Sequence, residues 1–359
     1  MERFNLLTKS MLFFPALAMI CSFLITWVSI PSIIQVARLK HLFDEPDDNR
    51  KLHKRVVPTL GGLAIFAGSI ISLMLFTDTY TFHGRQFVMA ALLILFFLGI
   101  KDDIIILSPY SKFLGQFIAA LIIVWAGDIR IDSWGGVFGV YSLSYEVSIA
   151  FSVLFIMLSI NAFNMIDGID ALAGSIGLIT AGTFAWWFYH AGYPQPLIFA
   201  TAIMGSILAF LQFNITPARI FMGDTGSMLI GTIIGILTIL FINLNHLVPV
   251  SLKINSAPVV AFGIIIIPVF DLLRVFVLRL LKGRSPFHAD NLHMHHQLLI
   301  LGFSHINASM LLAFVNLVFI ALAFLLNKIQ TEVLFSLLLG FAILLSIIVD
   351  VLVKRKLKK

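Results

Sequence analysis

Apolar runs recur along the whole length of this chain, separated by short polar connections. A hydrocarbon core of about 30 Å takes about 20 helical residues to cross, because lipid offers no partner to a backbone N–H or C=O. Eleven runs approach or reach that length, at approximately 11–37, 59–77, 85–100, 112–127, 146–163, 170–189, 196–214, 226–244, 257–281, 306–326 and 332–353, with the third and fourth short. The expectation is an all-α polytopic membrane protein with about eleven transmembrane helices. It forms a single domain over 1–359, since no internal repeat, linker or low-complexity tract breaks the pattern. Composition agrees: 60% of residues are hydrophobic and 12% charged, and the mean hydropathy is +1.02, far from the soluble average. Cys21, the lone cysteine, falls in the first run, which excludes an internal disulfide and a Cys-based metal centre. Ala16-Leu17-Ala18 has the look of a signal-peptidase site, but too little apolar chain precedes it, so the first helix reads as uncleaved.

Cytoplasmic loops retain Lys and Arg, so the cations orient the chain. With the loop 38–58 inside, eighteen of the 24 Lys and Arg lie on the cytoplasmic side, leaving Arg3, Lys9, Arg85, Arg130, Lys253 and Lys328 outside. This puts the N-terminus outside and the C-terminus in the cytoplasm. The net charge of +6 is explained by that asymmetry, with no nucleic acid implied.

Polar residues cluster at the inner helix ends. Asn161, Asn164, Asp167 and Asp170 recur every third residue in N-A-F-N-M-I-D-G-I-D. If the helix continues through them, they keep roughly to one side, while Gly168 loosens the backbone where the helix stops. Helix caps are the other reading of such residues. Lys101-Asp102-Asp103 closes the third run, and adjacent carboxylates at a membrane boundary point to a cation or a proton-transfer task. In the first inner loop, His53 to Gly62 combines a basic stretch with Pro58 and a Gly61-Gly62 pair that permits close backbone contact. Asp224 lies between Gly223 and Gly226 before a new helix, where carboxylate and backbone N–H groups are both open to a ligand. The last inner loop carries His288, Asp290, His293, His295 and His296; if helical, His293 and His296 share a face. Without Cys, these imidazoles read as phosphate donors rather than zinc ligands. Outside, 128–145 alternates apolar and polar residues around Gly135-Gly136 and reads as a short β-hairpin.

Carboxylates with Lys, Arg and His on one membrane face are the means to hold a hard cation such as Mg²⁺ against phosphates, leaving a lipid-side groove for an apolar co-substrate. The motifs P-T-L-G-G (58–62), K-D-D (101–103), N-A-F-N-M-I-D-G-I-D (161–170), I-F-M-G-D-T-G-S (220–227) and H-M-H-H (293–296) together resemble those of the polyprenyl-phosphate N-acetylhexosamine-1-phosphate transferases, in order and over nearly the whole chain. The resemblance implies an enzyme of the bacterial inner membrane with its active site on the cytoplasmic face. There, undecaprenyl phosphate attacks the β-phosphorus of a UDP-N-acetylaminosugar and UMP leaves. It implies Mg²⁺, with Mn²⁺ as a substitute, on Asp224 and one of Asp102 and Asp103, Asp102 being favoured. The other member of that pair deprotonates or orients the lipid phosphate, a covalent aspartyl intermediate being the second route. Asn164 and Asp167 organise the centre, and His293, His295 and His296 meet the diphosphate or sugar. Asp170 and Phe221 hold the uracil, while Lys54, Arg55, Asn161 and Arg284 complete substrate binding. A homodimer stays open.

The loop from Arg284 to Leu299 resembles that of the WecA/TagO-type branch, which starts O-antigen, common-antigen or teichoic-acid carriers, so the expected sugar is N-acetylglucosamine or a close relative. The alternatives are the muramoyl-pentapeptide branch and, from another class, a cation-coupled transporter. A transporter places its acids near the bilayer midplane, where this chain offers Asp271 and Asp350.

Overall fold

The computed structural model describes residues 2–40, 57–78, 82, 84–105, 107–285 and 291–358, with side chains from residue 11 onward. Among the described residues all regular structure is helical: α1 (Glu2–Leu39), α2 (Gly61–Phe76), α3 (Arg85–Ile104), α4 (Pro109–Leu121, prolonged by a π-turn over Ile122–Ala126), α5 (Tyr145–Ile166), α6 (Leu172–Ala191), α7 (Pro194–Asn214), α8 (Gly223–Leu244), α9 (Ala257–Ile264), α10 (Ile266–Leu281), α11 (Met294–Ile300), α12 (His305–Leu325) and α13 (Thr331–Leu357). Local chemistry marks several starts. Ser108 accepts the Ser111 N–H ahead of Pro109 at the first position of α4, and Ser304 accepts the Asn307 N–H to open α12.

The chain is a multi-pass membrane protein. Seven helices are long and apolar enough to cross a bilayer alone: α1 from Met11, α4 with its π-turn, α5, α7, α8, α12 and α13. The pair α9 and α10, bent by 80°, makes an eighth if it is one span. Pro268 accounts for the break, because it lacks the N–H that would donate to Ile264, where α9 stops. Three of the eleven expected spans are weaker for physical reasons. Helix α2 has 16 residues, or ~24 Å at the usual rise. Helix α3 ends in Lys101, Asp102 and Asp103, and α6 is diluted by Gly, Ser and Thr.

Helix α8 is the axis of the bundle, buried at nearly every position and surrounded by α2, α3, α5, α6 and α7. Lipid supplies no hydrophobic drive between helices, so close backbone approach and hydrogen bonds carry the contacts. Thr26 of α1 donates to the Ala64 carbonyl of α2 at 3.1 Å, and Ser69 of α2 meets Ser206 of α7 at 2.9 Å. The exposed side chains of α1, α4 and α13 are mainly large and apolar, as a lipid-facing surface requires.

The expected β-hairpin at 128–145 is not formed. A 3₁₀ turn over Val137–Gly139 caps the segment, and among the described residues there is no strand. The reason lies in its N–H groups: Ile131 donates to Ser152 of α5 at 2.7 Å and Asp132 to Asn243 of α8 at 3.4 Å. Side chains of the bundle therefore take the donors that a ladder needs, leaving Leu143 N–H to Asp132 O and Gly136 N–H to Val140 O across the loop.

Candidate active site

The last turns of α3 and α5 and the first turns of α4 and α8 meet at a cluster of acids around a lysine. Lys112, in the first turn of α4, places its ammonium 3.0 Å from Asp102 Oδ2 and in contact with Asp224 Oδ2, with Asn164 Oδ1 3.4 Å away. Asn164 in turn donates to Asp224 Oδ1 at 2.5 Å and to Ser227 at 2.9 Å. Asp102 Oδ1 also accepts the Leu107 N–H at 2.6 Å, which folds the connection from α3 back toward α4. Four helices are thus tied at one point, where one ammonium is shared by two carboxylates.

The neighbouring acids Asp102 and Asp103 face different partners. Asp103 accepts the backbone N–H of Asp224 at 2.7 Å, the Thr225 N–H at 3.2 Å and the Thr225 hydroxyl at 2.6 Å. It is a cap on α8 supplied by another helix, answering the open N–H groups and the positive end of the dipole. Chain 58–62 locks against 220–222 in the same region: Phe221 N–H donates to Pro58 O at 2.8 Å, Gly61 N–H to Phe221 O at 2.9 Å and Gly62 N–H to Met222 O at 2.7 Å. A Cβ on Gly62 would sit 2.2 Å from the Gly226 nitrogen, so the contact expected of the glycine pair does form, and only glycine allows it.

The row Asn161, Asn164, Asp167, Asp170 does not stay on one side. Helix α5 ends at Ile166, so the three-residue register stops there. Asn161 lies one turn deeper and donates to Gln116 of α4 at 2.7 Å. Asp167 caps the helix beside Asp224 and Asp103; burial first, and then those two carboxylates, push its carboxyl well above the usual range. Asp170 turns away toward α12, where it accepts from Thr216 at 2.9 Å and lies 3.4 Å from His305 Nδ1. Asn214 joins this second locus to Phe221: its Oδ1 accepts the Ala171 N–H at 2.8 Å and its Nδ2 donates to the Ile220 carbonyl at 2.9 Å. The neighbours of Asp170 and Phe221 in sequence, Ala171 and Ile220, are therefore joined by one side chain.

The histidines divide as well, and the shared face expected of His293 and His296 is not realised. His293 is the N-cap of α11, in extended conformation, with Nδ1 2.9 Å from Asp271 Oδ2. His295 is 1% exposed and lies over Gly168, where a Cβ would fall 2.2 Å from its Nε2. Burial, and then the adjacent His296, pull its pKa down to about 3, so the ring is neutral at ordinary pH. The His295 and His296 rings are 4.2 Å apart. Arg284 is exposed beyond the end of α10. Lys54 and Arg55 lie outside the described residues, as do His288 and Asp290.

Two residues gained importance only in three dimensions. Lys112 counted in the sequence as one more inner cation; its place ten residues after Asp102, just past the S-P start of a helix, is the one local sign of more. Asp271 was a mid-helix acid, and it holds the histidine loop. Among the described residues no three His, Cys, Asp or Glu groups converge as a metal cage. The convergent pair is Asp102 and Asp224, with Asn164 beside it. Apart from this site, an apolar cavity of about 340 Å³ runs along α5 from Leu158 past Phe155 and Phe151 to Ile131, Trp134 and Val137.

Comparison with known proteins covers most of the chain. The sequence model described as glycosyl transferase family 4 matches residues 86–242. The chain is 32% identical over 304 residues to a probable undecaprenyl-phosphate N-acetylglucosaminyl 1-phosphate transferase of Bacillus subtilis, covering 84% of this chain and 82% of that protein. It is 31% identical over 300 residues to the undecaprenyl-phosphate alpha-N-acetylglucosaminyl 1-phosphate transferase of Escherichia coli K12, covering 82% and 79%. A protein of that same name in Yersinia pestis is 30% identical over 276 residues, or 76% and 73%.

Proposed function

The chain belongs to glycosyl transferase family 4, and from that premise we propose that it transfers N-acetylglucosamine 1-phosphate from UDP-N-acetylglucosamine to undecaprenyl phosphate. A phosphate oxygen of the lipid bonds to the β-phosphorus of the nucleotide sugar, the bridge to the α-phosphate breaks, and UMP leaves. The observation that carries this reading is the cluster of Asp102, Lys112, Asp224 and Asn164 at the helix ends, two carboxylates, an ammonium and a carboxamide within reach of one another. An anionic diphosphate needs such a mixed set of charges and polar groups, and the large apolar side chains exposed on the surrounding helices suit a prenyl chain.

Each residue then has a task set by its contacts. Lys112 neutralises and orients phosphate oxygens. Of the pair expected to split between metal and lipid phosphate, Asp103 is committed to capping α8, so Asp102, the member left free of that cap, also orients the lipid phosphate. Asp103 positions Asp224 through the backbone, and Asp170 with Phe221 receives the uracil. Two carboxylates and a carboxamide are the oxygen donor set for Mg²⁺ or Mn²⁺, and the ammonium between the carboxylates marks a spot that demands positive charge. Asp224 and Asp102 are the residues that would hold the metal, which when bound neutralises charge on the diphosphate.

The substrate assay is direct. Purified protein with undecaprenyl phosphate should release UMP from UDP-N-acetylglucosamine, or from a close 6-deoxy relative, and not from UDP-N-acetylmuramoyl-pentapeptide. Discrimination of that kind reaches about 10⁴-fold where a polar partner is missing. Turnover of the pentapeptide at an equal or higher rate defeats the branch assignment, and no turnover of any UDP-sugar defeats the reaction.

We also propose that this chemistry lies on the cytoplasmic face of a bacterial inner membrane, in a chain of eleven crossings with the N-terminus outside and the C-terminus inside; the cation asymmetry supports that orientation. Single cysteines in a Cys21→Ser background should react with an impermeant reagent from outside at Ser133 and Asn255, and only after permeabilisation at Ser108 and Asn291. External labelling at Asn291 contradicts the orientation.

A further inference from the structure

Asp271 has no part in the reaction as described so far, yet it is among the most completely engaged side chains of the bundle. It lies in α10, just past the 80° break, and is 2% exposed. Its Oδ1 takes the Arg274 guanidinium at 2.9 Å and the Met294 N–H at 3.1 Å. Its Oδ2 faces His293 Nδ1 at 2.9 Å and the same N–H at 3.3 Å. Arg274 extends the network: it donates to the Leu292 carbonyl at 3.2 Å, to Gln297 at 3.0 Å and to Asp350 of α13 at 3.1 Å. One carboxylate and one guanidinium thus grip both sides of His293 and tie the loop to the last helix.

The donors fix the chemistry. An arginine and a backbone N–H only donate, so Asp271 is an acceptor throughout, and His293 must carry its proton on Nδ1. That leaves Nε2 as the atom of the ring that is buried without a partner among the described residues. The ring lies nearly parallel to His295 at 5.8 Å, and His295 Nε2, also without a described partner, packs over Gly168 next to Asp167. Two buried nitrogens with unmet hydrogen bonds, presented at the edge of the acid centre, are costly unless a ligand completes them.

We infer that Asp271 is the positioning residue of the histidine loop: it fixes the Nδ1-protonated form of His293 and caps α11, so that the Nε2 of His293 is left as an acceptor and is turned, with that of His295, toward the hydroxyl and amide donors of the substrate sugar. This rests on the reading that the histidines serve the transferase centre. A break in the helix at this point has a purpose on this view, since it brings a membrane-buried carboxylate to the level of an inner loop.

The test is a double-mutant cycle read by UMP release, with a spectroscopic arm. Asp271→Asn should lower kcat about 10- to 100-fold, the range found for groups that orient a functional histidine, with less than about 3-fold change in KM for the nucleotide sugar. In a His293→Gln background the same change should cost less than about 3-fold, because the group it acts through is gone. An undiminished loss in that background, or full activity of Asp271→Asn, overturns the inference. If Asp271→Asn does not fold, ¹⁵N-histidine NMR of the unaltered protein decides, with the His293 signal assigned by its loss in His293→Gln. A protonated Nδ1 at neutral pH is expected, and a bare Nδ1 refutes the inference. Should the unaltered protein release no UMP at all, the functional reading fails, and the NMR arm still judges what Asp271 does to His293.

Discussion

Asp224→Asn should reduce UMP release by about 10²- to 10³-fold, the cost of removing one preorganised group that meets charge developing at a phosphoryl centre. Asp224 is the residue on which the helices converge: Lys112 and Asn164 bind its two oxygens, and Asp103 holds its backbone N–H. The amide keeps the size of the side chain and one acceptor, so one of Asn164 and Lys112 keeps its bond, the other meets an NH₂ group, and the negative charge is lost. Folding should be preserved, since the substitution also relieves repulsion with Asp102 and Asp167. The effect belongs to the chemistry and to the divalent cation. Activity of the unaltered protein should therefore vanish in excess chelator, return with Mg²⁺ or Mn²⁺, and return poorly in Asp224→Asn. Unimpaired turnover by the variant, or by the unaltered protein in chelator, removes the metal from the proposal.

Lys112→Met should have a comparable effect on turnover, about 10²-fold or more, with a second signature in stability. The ammonium is the positive charge shared by Asp102 and Asp224, and its removal leaves two carboxylates facing each other in a half-buried setting. Breaking a fully buried pair costs about 3–5 kcal/mol, an upper bound here because about a fifth of the lysine side chain reaches solvent. A divalent cation offers the same carboxylates an alternative partner. Added Mg²⁺ should therefore raise the melting temperature of Lys112→Met more than that of the unaltered protein, in which the metal has to compete with the ammonium. Equal Mg²⁺ shifts in the two proteins argue against a metal on the Asp102 and Asp224 pair, and unchanged turnover in Lys112→Met removes the lysine from the centre.

The sequence by itself determined the solvent of this protein and the material of its site. Hydropathy is a sum over neighbouring residues, so the helices appear where the apolar runs were, and the acids, amides and histidines were visible because they stand at the ends of those runs. The close contact of Gly61-Gly62 with Phe221 and Met222 was also legible, since a glycine pair in a loop has few other uses. Only the tertiary structure decided what each polar residue faces. Asp102 and Asp103 are adjacent in sequence, yet one meets Lys112 and the other caps α8, because consecutive side chains on a helix diverge by about 100°. The three-residue row on α5 looked continuous until the helix ended at Ile166 and sent Asp170 to Thr216 and His305. The external segment alternates like a strand, but Ser152 and Asn243, distant in sequence, take its N–H groups first. The roles of Lys112 and Asp271 were not legible locally, because beside the near partners Asp102 and Arg274 each has a deciding partner, Asp224 and His293, that stands 112 and 22 residues away. Periodicity and composition are local quantities, whereas the pairing of buried charges in a membrane is settled only when the helices that carry them pack together.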